Sequence, residues 1–278
     1  MNSEVEALSE LPDPVERAQR AGDLLTHHQA VVTELSRIRR EALEELRAKG
    51  MTQAEMAAAL GMTRGRISQL VTTGPPPERA FLGTATVTVA LGGKVEGGKA
   101  KPGPVVAQED LNAYEQLREL AQGVKLDTTY EVIPPSGVVR LNRENLVVIC
   151  GPRLSPLIGQ VLESDPHLGF GVDEDGWHLL DRKLGQIYRS PMDTGTPGDF
   201  AYLGRLPRPD ARGSFLYIAG IHAIGAGGVV HYLHQQMAEL YREVRTRRFS
   251  TLISCEFDPE SLEVLRSQRL TPLYRPEG

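Results

Sequence analysis

The pattern of apolar and polar positions divides the chain into two parts. From residue 15 to about residue 49, apolar side chains recur at steps of three and four positions, which predicts one long amphipathic helix. Its apolar face contains Val31, Val32, Leu35, Ile38, Ala42, Leu43 and Leu46, and its charged face contains Arg37, Arg39, Arg40, Glu41, Glu44 and Glu45. The segment Thr-Thr-Gly-Pro-Pro-Pro after Val71 cannot continue a helix. We therefore place a domain boundary near residues 74–79 and expect the acidic residues 1–13 to form a loose leader.

After the boundary, short apolar runs alternate with helical segments. Strands are predicted at residues 84–91, 128–133, 146–150 and 214–219, brief strands between 169 and 188, and helices at 109–122, after Pro156 and at 228–244. The glycine-rich residues 92–104 predict a flexible loop. Strands that alternate with helices favour a mainly parallel, broadly Rossmann-like sheet with helices on its faces. The middle strands are interpreted as an insertion or an extension of the sheet.

Composition and charge limit the classes of protein that fit. The 278 residues include 31 Lys and Arg against 36 Asp and Glu, so the formal net charge is -5 and any DNA-binding surface must be local. No apolar run approaches the roughly 20 residues that cross a bilayer, and the N-terminus lacks a basic and then apolar signal, so we expect a cytoplasmic protein. Cys150 and Cys255 both follow apolar runs. This predicts strand positions in a reducing compartment, with neither a disulfide nor a cysteine-based zinc site.

The sharpest local motif follows the long helix. Thr52 and Glu55 have the spacing of a capping box, which satisfies free amides at the start of a short helix. Gly61 allows the left-handed backbone of a tight turn, and Thr63 is placed to cap a second helix. The apolar residues that would pair the two helices are Met56, Ala57, Leu60, Ile67 and Leu70. Because the small side chain of Ala57 permits a close crossing, this spacing predicts a helix-turn-helix.

The outward face of the second helix has the chemistry of base reading. It carries Arg64, Arg66, Ser68 and Gln69. Arginine can donate two parallel hydrogen bonds to guanine, and glutamine can pair similarly with adenine. Thr63, at the start of the helix, is better placed for a phosphate contact. The alternative is a helical pair that serves dimerisation or partner docking, with its arginines merely solvated.

Two motifs of this region resemble a known family. Thr-Gln-x-Glu-x-Ala, beginning at Thr52, and Arg-x-x-Ile-Ser-Gln-Leu, beginning at Arg64, are typical of sigma-factor region-4-like and XRE-like helix-turn-helix regulators. The resemblance covers about residues 35–70. It implies that the DNA-contacting positions are Gln53, Thr63, Arg64, Arg66, Ser68 and Gln69. Helix-turn-helix proteins usually bind two half-sites as dimers, so we also expect a homodimer on double-stranded DNA.

Two strand-to-helix loops of the second part carry candidate ligand contacts. In each loop, backbone amides, glycines and a cationic or imidazole side chain favour a bound anion. The candidate ligand-binding residues are Gly151, Arg153, Ser155, Arg189, Gly220, His222, Gly225, Gly227 and Gly228, with Ser190, Arg205 and Arg208 as further candidates. Both loops follow strands of the predicted sheet, so a phosphate-bearing or nucleotide-like ligand is expected at its carboxyl edge. The alternative for each loop is a structural turn whose polar side chains face water.

Two other functions would use the same region. An enzyme domain would cleave a nucleotide or glycosidic bond. Its candidate acids or nucleophiles are Glu256, Asp258 and Asp199. The chain has no paired-carboxylate motif or serine nucleophile elbow, and His231 and His234 lack a third metal ligand, so we predict no catalytic residue, metal or cofactor. A constitutive DNA-binding scaffold would instead use the helix at 228–244 to join two copies.

These patterns together predict an α + α/β fold. A helical helix-turn-helix domain occupies residues 1–76, a linker follows at 77–83, and a Rossmann-like α/β domain at 84–278 senses ligand and dimerises. The predicted function is sequence-specific transcription regulation by a cytoplasmic, nucleoid-associated homodimer that responds to a small, nucleotide-like effector.

Overall fold

Two compact units make up the chain in the computed structural model, which describes residues 2–98 and 103–276. The first unit ends at Pro77 and the second begins at Glu78. None of the helices within these described ranges is long and apolar enough to cross a membrane.

The first unit is helical. It contains α1 (Asn2–Ser9), α2 (Pro14–Ala48), α3 (Gln53–Ala59) and α4 (Arg64–Thr73). The long helix α2 begins with a cap, because the Asp13 side chain accepts a hydrogen bond of 3.0 Å from the Val15 amide. Pro14 occupies the first helical position, where the missing N–H costs nothing.

The leader predicted as loose instead contains α1. Leu8 and Leu11 line a groove together with Leu24 of α2, so this first helix has an apolar side to bury. The sequence pattern did not predict this helix, because the segment is acidic and has too few apolar residues to show a helical period. Packing beside α2 supplies the stability that such a short helix lacks in isolation.

The apolar face of α2 is buried only near its C-terminal end. Leu43 lies in a cluster that joins α2 to α3 and α4. Nearer the N-terminus, the exposed fractions are 41% for Val31, 62% for Val32, 60% for Leu35 and 48% for Ile38. The longest helix of the unit therefore has an uncovered apolar stretch.

Strands and helices alternate in the second unit. Its helices are α5 (Arg79–Leu82), α6 (Gln108–Gly123), α7 (Pro156–Leu162) and α8 (Ile224–Val244), with a 3-10 helix at Pro191–Thr194. Its strands are β1 (Val87–Val95), β2 (Pro104–Val106), β3 (Thr128–Ile133), β4 (Leu146–Ile149), β5 (Leu168–Asp173), β6 (Gly176–Asp181), β7 (Gln186–Arg189), β8 (Gly198–Pro207), β9 (Ser214–Gly220), β10 (Phe249–Phe257) and β11 (Val264–Arg269). Of residues 92–104, predicted as a flexible loop, residues 92–95 instead continue β1 and residue 104 begins β2, whereas residues 96–98 and 103 lie in the connection between these strands. The part at 99–102 lies outside the described residues.

In the part of the unit that the structure describes, eight strands form one sheet in the order β11, β10, β8, β9, β4, β1 and β2, with β3 also paired to β1. Strands β3, β1, β4 and β9 are parallel, whereas β2, β8, β10 and β11 pair antiparallel with their neighbours. The fold is thus mixed α/β, and the prediction of a mainly parallel sheet is correct only for these parallel strands. Short connections after β8 and after β10 explain the difference, because parallel pairing requires a long crossover.

Both faces of the sheet are covered. Helices α6 and α8 pack on one face, around core residues such as Leu91 and Val147. On the other face lie α7 and a small sheet of β5, β6 and β7, around Val148 and Leu179. Helix α8 buries most of its residues in this packing, so it belongs to the core of the second unit.

The segment 77–83, predicted as a linker, differs from that prediction. Ala80, Phe81 and Leu82 form α5 and belong to the core of the second unit, with Phe81 fully buried. The Arg205 guanidinium lies 5.6 Å from the Phe81 ring centre and donates a hydrogen bond to the Phe81 carbonyl. Burial of these apolar side chains stabilises the segment as part of the second unit.

Candidate functional site

The carboxyl ends of the parallel strands lie along one edge of the sheet. At β1, the direction in which successive strands are added to the sheet reverses. The chain places β3 on one side of β1 and β4 on the other, so that Val89 pairs with both Tyr130 and Val147. Crevices that hold ligands form outside such reversals. A cleft lies at this point, and its lining comes from β1, α6 and the loops after β4 and β9.

Charged and polar side chains line the cleft. Lys94 comes from the end of β1, Asp110 from the first turn of α6, Cys150 and Arg153 from the loop after β4, and His222 from the loop after β9. Within the described ranges, no hydrogen bond or ion pair engages the side chain of Lys94 or Arg153. Both cationic groups are therefore available to a ligand.

Burial controls the ionisation of the cleft. Asp110 is 7% exposed, and this burial raises the pKa of its carboxyl to about 7, although Lys94 and Arg153 act to lower it. Burial also raises the pKa of the Cys150 thiol to about 12, so the thiol stays protonated and is a poor nucleophile. At neutral pH the cleft combines two cations with a carboxyl that is only partly charged. This balance favours an anionic ligand.

Two aspartates hold the loop after β9. The His222 amide donates to Asp199 Oδ2 at 2.9 Å, and the His222 ring Nε2 lies 2.7 Å from Asp193 Oδ1. Asp199 is fully buried, and burial raises its pKa to about 6. Its other oxygen, Oδ1, has no hydrogen-bond partner among the residues that the structure describes. Gly220 is sterically required in this loop, because a β-carbon there would overlap the His222 carbonyl oxygen.

The cleft brings together only part of the predicted ligand set. The predicted residues that line it are Gly151, Arg153, Gly220 and His222. Gly225 and Gly228 serve packing instead, since a β-carbon would lie 2.5 Å from Asp199 Oδ2 at Gly225 and 2.5 Å from the Cys255 sulfur at Gly228. Gly227 is buried on the same helix. These glycines let α8 approach β8 and β10 closely, and the Gly225 amide already donates to the His222 carbonyl at 3.2 Å.

Two other predicted ligand residues are engaged away from the cleft. Ser155 caps α7 as predicted, accepting from the Ile158 amide, but it is fully buried and donates to the Gly137 carbonyl at 2.6 Å. Arg189 lies on β7, where its guanidinium pairs with Asp173 at 2.6 Å. Both residues therefore have structural partners.

The further candidates also have structural partners. Arg205 lies near the amino edge of the parallel strands, where it pairs in register with Leu216, and burial lowers its pKa to about 10. Arg208 forms an ion pair of 3.2 Å with Asp210. Ser190 donates to the Gly198 carbonyl at 3.3 Å.

The residues considered for catalysis or metal binding do not converge. Asp258 accepts hydrogen bonds from the Glu260 and Ser261 amides and so caps a turn, and Glu256 is exposed on β10. His231 Nδ1 lies 2.7 Å from the Ser267 hydroxyl, and His234 Nε2 lies 2.9 Å from the Gln116 carbonyl oxygen. Over residues 2–98 and 103–276, no group of three side chains is arranged to hold a metal ion.

Sequence reasoning missed Lys94, Asp110 and Cys150 as lining residues. The missing information was strand order, because β1 lies beside β4 only through the crossovers of the chain. A signal for Asp110 existed, since it lies in the first turn of α6, which follows β1 after the short strand β2. Residues at such strand-to-helix connections commonly contact ligands in α/β folds.

Helices α3 and α4 of the first unit begin with the caps that the sequence predicts. Thr52 and Glu55 form a reciprocal capping box, in which the Thr52 amide donates to Glu55 Oε2 at 2.8 Å. The Thr63 hydroxyl oxygen accepts from the Arg66 amide at 3.1 Å and caps α4. Gly61 has a φ of +63°, the left-handed conformation that favours glycine.

One face of α4 packs on α3 and the opposite face is exposed. The buried cluster that joins them to α2 contains Leu43, Met56, Ala57, Ile67 and Leu70. Leu60, predicted to join this contact, is 45% exposed because it follows the last turn of α3. Packing therefore fixes which side of α4 faces outward.

The outward side of α4 presents hydrogen-bonding groups. Arg64, Arg66 and Gln69 are exposed and Ser68 is half-buried, whereas Gln53 and Thr63 are exposed at the starts of their helices. Arg66 Nη1 donates to Gln69 Oε1 at 2.7 Å, so each side chain orders the other. We call the accessible side of α4, with Arg64, Arg66, Ser68 and Gln69, the α4 surface.

We expect Ala57→Leu to loosen the packing of α3 on α4. Ala57 is 5% exposed, and forcing a larger side chain into a packed core costs about 1–3 kcal/mol. Hydrogen exchange read by mass spectrometry should accelerate in α3 and α4 and stay unchanged in α8. Ala58→Leu is the matched control, because Ala58 is exposed on the same helix. Equal exchange in both variants would contradict the close crossing.

The two candidate sites belong to different units. The helical unit presents a capped helix pair with exposed arginines, and the α/β unit presents a cationic cleft at a reversal of strand order. No protein family, curated protein or solved structure matches this chain. The functional conclusion therefore depends on the geometry and chemistry of these two sites.

Proposed function

We propose that this protein is a sequence-specific DNA-binding transcriptional regulator that acts as a homodimer and senses a small phosphate-bearing ligand. The observation that carries the proposal is the α4 surface, where Arg64, Arg66 and Gln69 project from a helix that Thr63 caps and that shares a buried core with α2 and α3. Such a helix-turn-helix places its second helix in the major groove of DNA.

The side chains of the α4 surface have the donors that base reading needs. Arg64 and Arg66 would each donate two hydrogen bonds to a guanine edge. Gln69, already held by Arg66, would contact a neighbouring adenine. Thr63 keeps its hydroxyl proton for a phosphate oxygen, since its oxygen only accepts from the Arg66 amide.

Net charge explains why this regulator would need two reading helices. A protein of formal charge -5 has little general attraction to DNA, so one half-site supplies modest affinity. Two half-sites bound by a symmetric dimer supply the contacts that one lacks. The DNA target is therefore expected to be an inverted repeat.

Selection of bound duplexes from a random pool tests this part of the proposal. The intact protein should enrich an inverted repeat whose half-sites contain guanine at the positions that the arginines read. A pool that remains random after several rounds, although the protein is folded, would count against DNA reading.

The cleft of the α/β unit supports the ligand part of the proposal. Lys94 and Arg153, whose side chains pair with none of the residues that the structure describes, offer two cations for a phosphate group. Asp110 also lines the cleft, and its buried carboxyl would accept a hydrogen bond from a hydroxyl or amine of the same ligand. These groups suit the phosphate group of a ligand that also carries a hydroxyl or an amine. The cleft has a volume of only about 20 Å³, so a phosphorylated sugar or a nucleotide would bind with most of its atoms outside the cleft or after the cleft widens.

We expect Arg153→Ala to weaken phosphate binding at least about tenfold, because it removes one charge-assisted contact. Thermal shift with inorganic phosphate, ribose 5-phosphate and adenosine monophosphate would measure the change in the wild-type and variant proteins. Arg118→Ala is the matched control, since Arg118 is an exposed arginine of α6 that does not line the cleft. Identical shifts in wild type and Arg153→Ala would exclude this cleft as the site.

Ligand binding would act on DNA binding by linkage. A ligand that binds one state of the protein more tightly changes the affinity for DNA, and DNA changes the affinity for ligand by the same factor. Without ligand, Arg153→Ala should therefore leave the affinity for DNA unchanged. With ligand, the variant should show a smaller change in DNA affinity than the wild type. A ligand that shifts thermal stability and leaves DNA affinity unaltered would remove the sensing role.

A further inference from the structure

Helix α2 has a repeat that the fold of one chain does not use. Ala21, Leu24, His28, Val31, Leu35, Ile38 and Ala42 follow one another at alternating steps of three and four residues. This is the spacing of the a and d positions of a heptad repeat, along which one helix pairs with another in a narrow seam. A helix that packs on a globular core usually has a broader apolar face. We call this row of residues the α2 seam.

The first unit covers only the N-terminal end of the α2 seam. There, Leu24 lines a groove with Leu8 and Leu11. Leu43 and Leu46, which pack in the cluster with α3 and α4, lie on another side of α2, outside the seam. The last four seam residues, Val31, Leu35, Ile38 and Ala42, are all exposed. Leu35 is 60% exposed.

The charges beside the seam suit a second copy of the same helix. With Leu35 at position a, Glu34 occupies position g and Arg39 occupies position e. In a parallel pair, residue g of one helix approaches residue e five positions later on the other, so Glu34 meets Arg39 twice by symmetry. Glu34 already pairs with Arg37 of its own helix at 2.6 Å, so in the dimer its carboxylate would lie between two arginines. Arg39 is exposed, and no hydrogen bond or ion pair engages it over the described residues. An antiparallel pair that sets Leu35 against Val31 would instead bring two Glu34 carboxylates together.

We propose that α2 forms a parallel two-stranded coiled coil with α2 of a second copy of this chain. The dimer belongs to the function proposed above, on which this inference builds, whereas the observations that carry it concern α2 alone. A parallel pair brings the C-terminal ends of both helices, and with them both α4 surfaces, to the same end of the coil. A lipid surface fits less well, because acidic Glu34 and Glu41 flank the seam rather than cations alone.

Sedimentation of the full-length protein, without DNA, tests the dimer. Leu35→Glu should raise the dissociation constant of the dimer at least about 100-fold, because it buries two carboxylates in an apolar seam. Val15→Glu is the matched control, since Val15 is 62% exposed on the same helix and lies outside the seam. Both side chains are exposed in the single chain, so neither change removes core packing. Wild-type protein that stays monomeric at micromolar concentrations, or a dimeric Leu35→Glu, would overturn the proposal.

Cysteine cross-linking tests the parallel orientation. In a parallel pair, Ala42→Cys places two sulfurs of the same seam layer within disulfide distance, whereas an antiparallel pair separates them by several helical turns. Ser36→Cys, beside the seam, is the control. The native Cys150 and Cys255 are buried and will not compete. Efficient oxidation of Ala42→Cys alone supports the proposal, and a dimer in which Ala42→Cys fails to cross-link contradicts it.

The combined Arg64→Ala and Arg66→Ala variant separates this inference from the proposed function. It should sediment as a dimer like the wild type, because the α4 surface takes no part in the seam. A wild-type dimer that selects no DNA would leave the coiled coil standing and remove the regulator. A wild-type monomer that selects DNA would leave the DNA-binding regulator standing and remove the coiled coil.

Discussion

Alanine at both Arg64 and Arg66 is expected to lower affinity for the selected duplex by about 100-fold or more and to leave the fold intact. Each bidentate contact between arginine and guanine discriminates by about 1–3 kcal/mol. The dimer would make two such contacts in each of two half-sites, so their loss costs about 4 kcal/mol or more, which exceeds the roughly 2.7 kcal/mol of a 100-fold change. Both side chains are exposed on α4, so no core packing is lost. Fluorescence anisotropy at about 0.15 M salt measures the change.

The control must separate base reading from the loss of positive charge. Arg118→Ala with Arg140→Ala removes the same charge from exposed positions of the second unit. A scrambled duplex reports the part of binding that comes from phosphate contacts. The double variant of α4 should lose affinity mainly for the selected duplex. Equal losses on both duplexes would show that the arginines contact phosphates only, and full affinity would show that α4 is not the reading helix.

Asp110→Asn is expected to stabilise the second unit increasingly as pH rises. In the unfolded chain the carboxyl loses its proton near its ordinary pKa of 3.8, whereas in the folded protein it keeps the proton up to about pH 7. The folded state binds more protons in this window, so the free energy of unfolding that Asp110 contributes falls as pH rises from about 4 to about 7. The full loss is about 4 kcal/mol at most. Asparagine does not titrate in this range, so the Asp110→Asn variant avoids this loss of stability.

Urea unfolding at about pH 4.5 and about pH 8 measures this difference. Trp177 is the only tryptophan and packs, partly buried, against the core of the second unit, so its fluorescence reports that unit alone. Asp199, whose pKa burial also raises, is present in both proteins and cancels in the comparison. Glu119→Gln removes an exposed carboxyl from the same helix and serves as the control. Parallel pH profiles of Asp110→Asn and wild type would contradict a buried, largely protonated carboxyl in the cleft.

The local features of the first unit could be predicted because they follow local rules. Capping by Thr52 and Thr63 and the turn at Gly61 depend on residues within one helical turn, and all three are present in the structure. The extent of burial along α2 could not be predicted in the same way. Apolar periodicity marks a face, but only the fold determines that Leu43 is covered and Leu35 is exposed.

The cleft was predictable only in part, because its lining depends on strand order. Arg153 and His222 follow recognisable strand-to-helix loops, whereas Lys94 and Asp110 join them through the crossovers around β1. Glycine-rich sequence was ambiguous, since close packing of a helix on a sheet and approach to a ligand require the same residue. Gly225 shows the ambiguity, because its lack of a side chain accommodates Asp199 rather than a bound group.

The ratio of two dissociation constants tests the central claim of DNA reading most directly. The wild-type protein is titrated at about 0.15 M salt with the duplex that it selects and with a scrambled duplex of the same composition. A regulator that reads bases through the α4 surface should bind the selected duplex at least about 1,000-fold more tightly. A ratio near one would leave only nonspecific attraction and would contradict the proposed function.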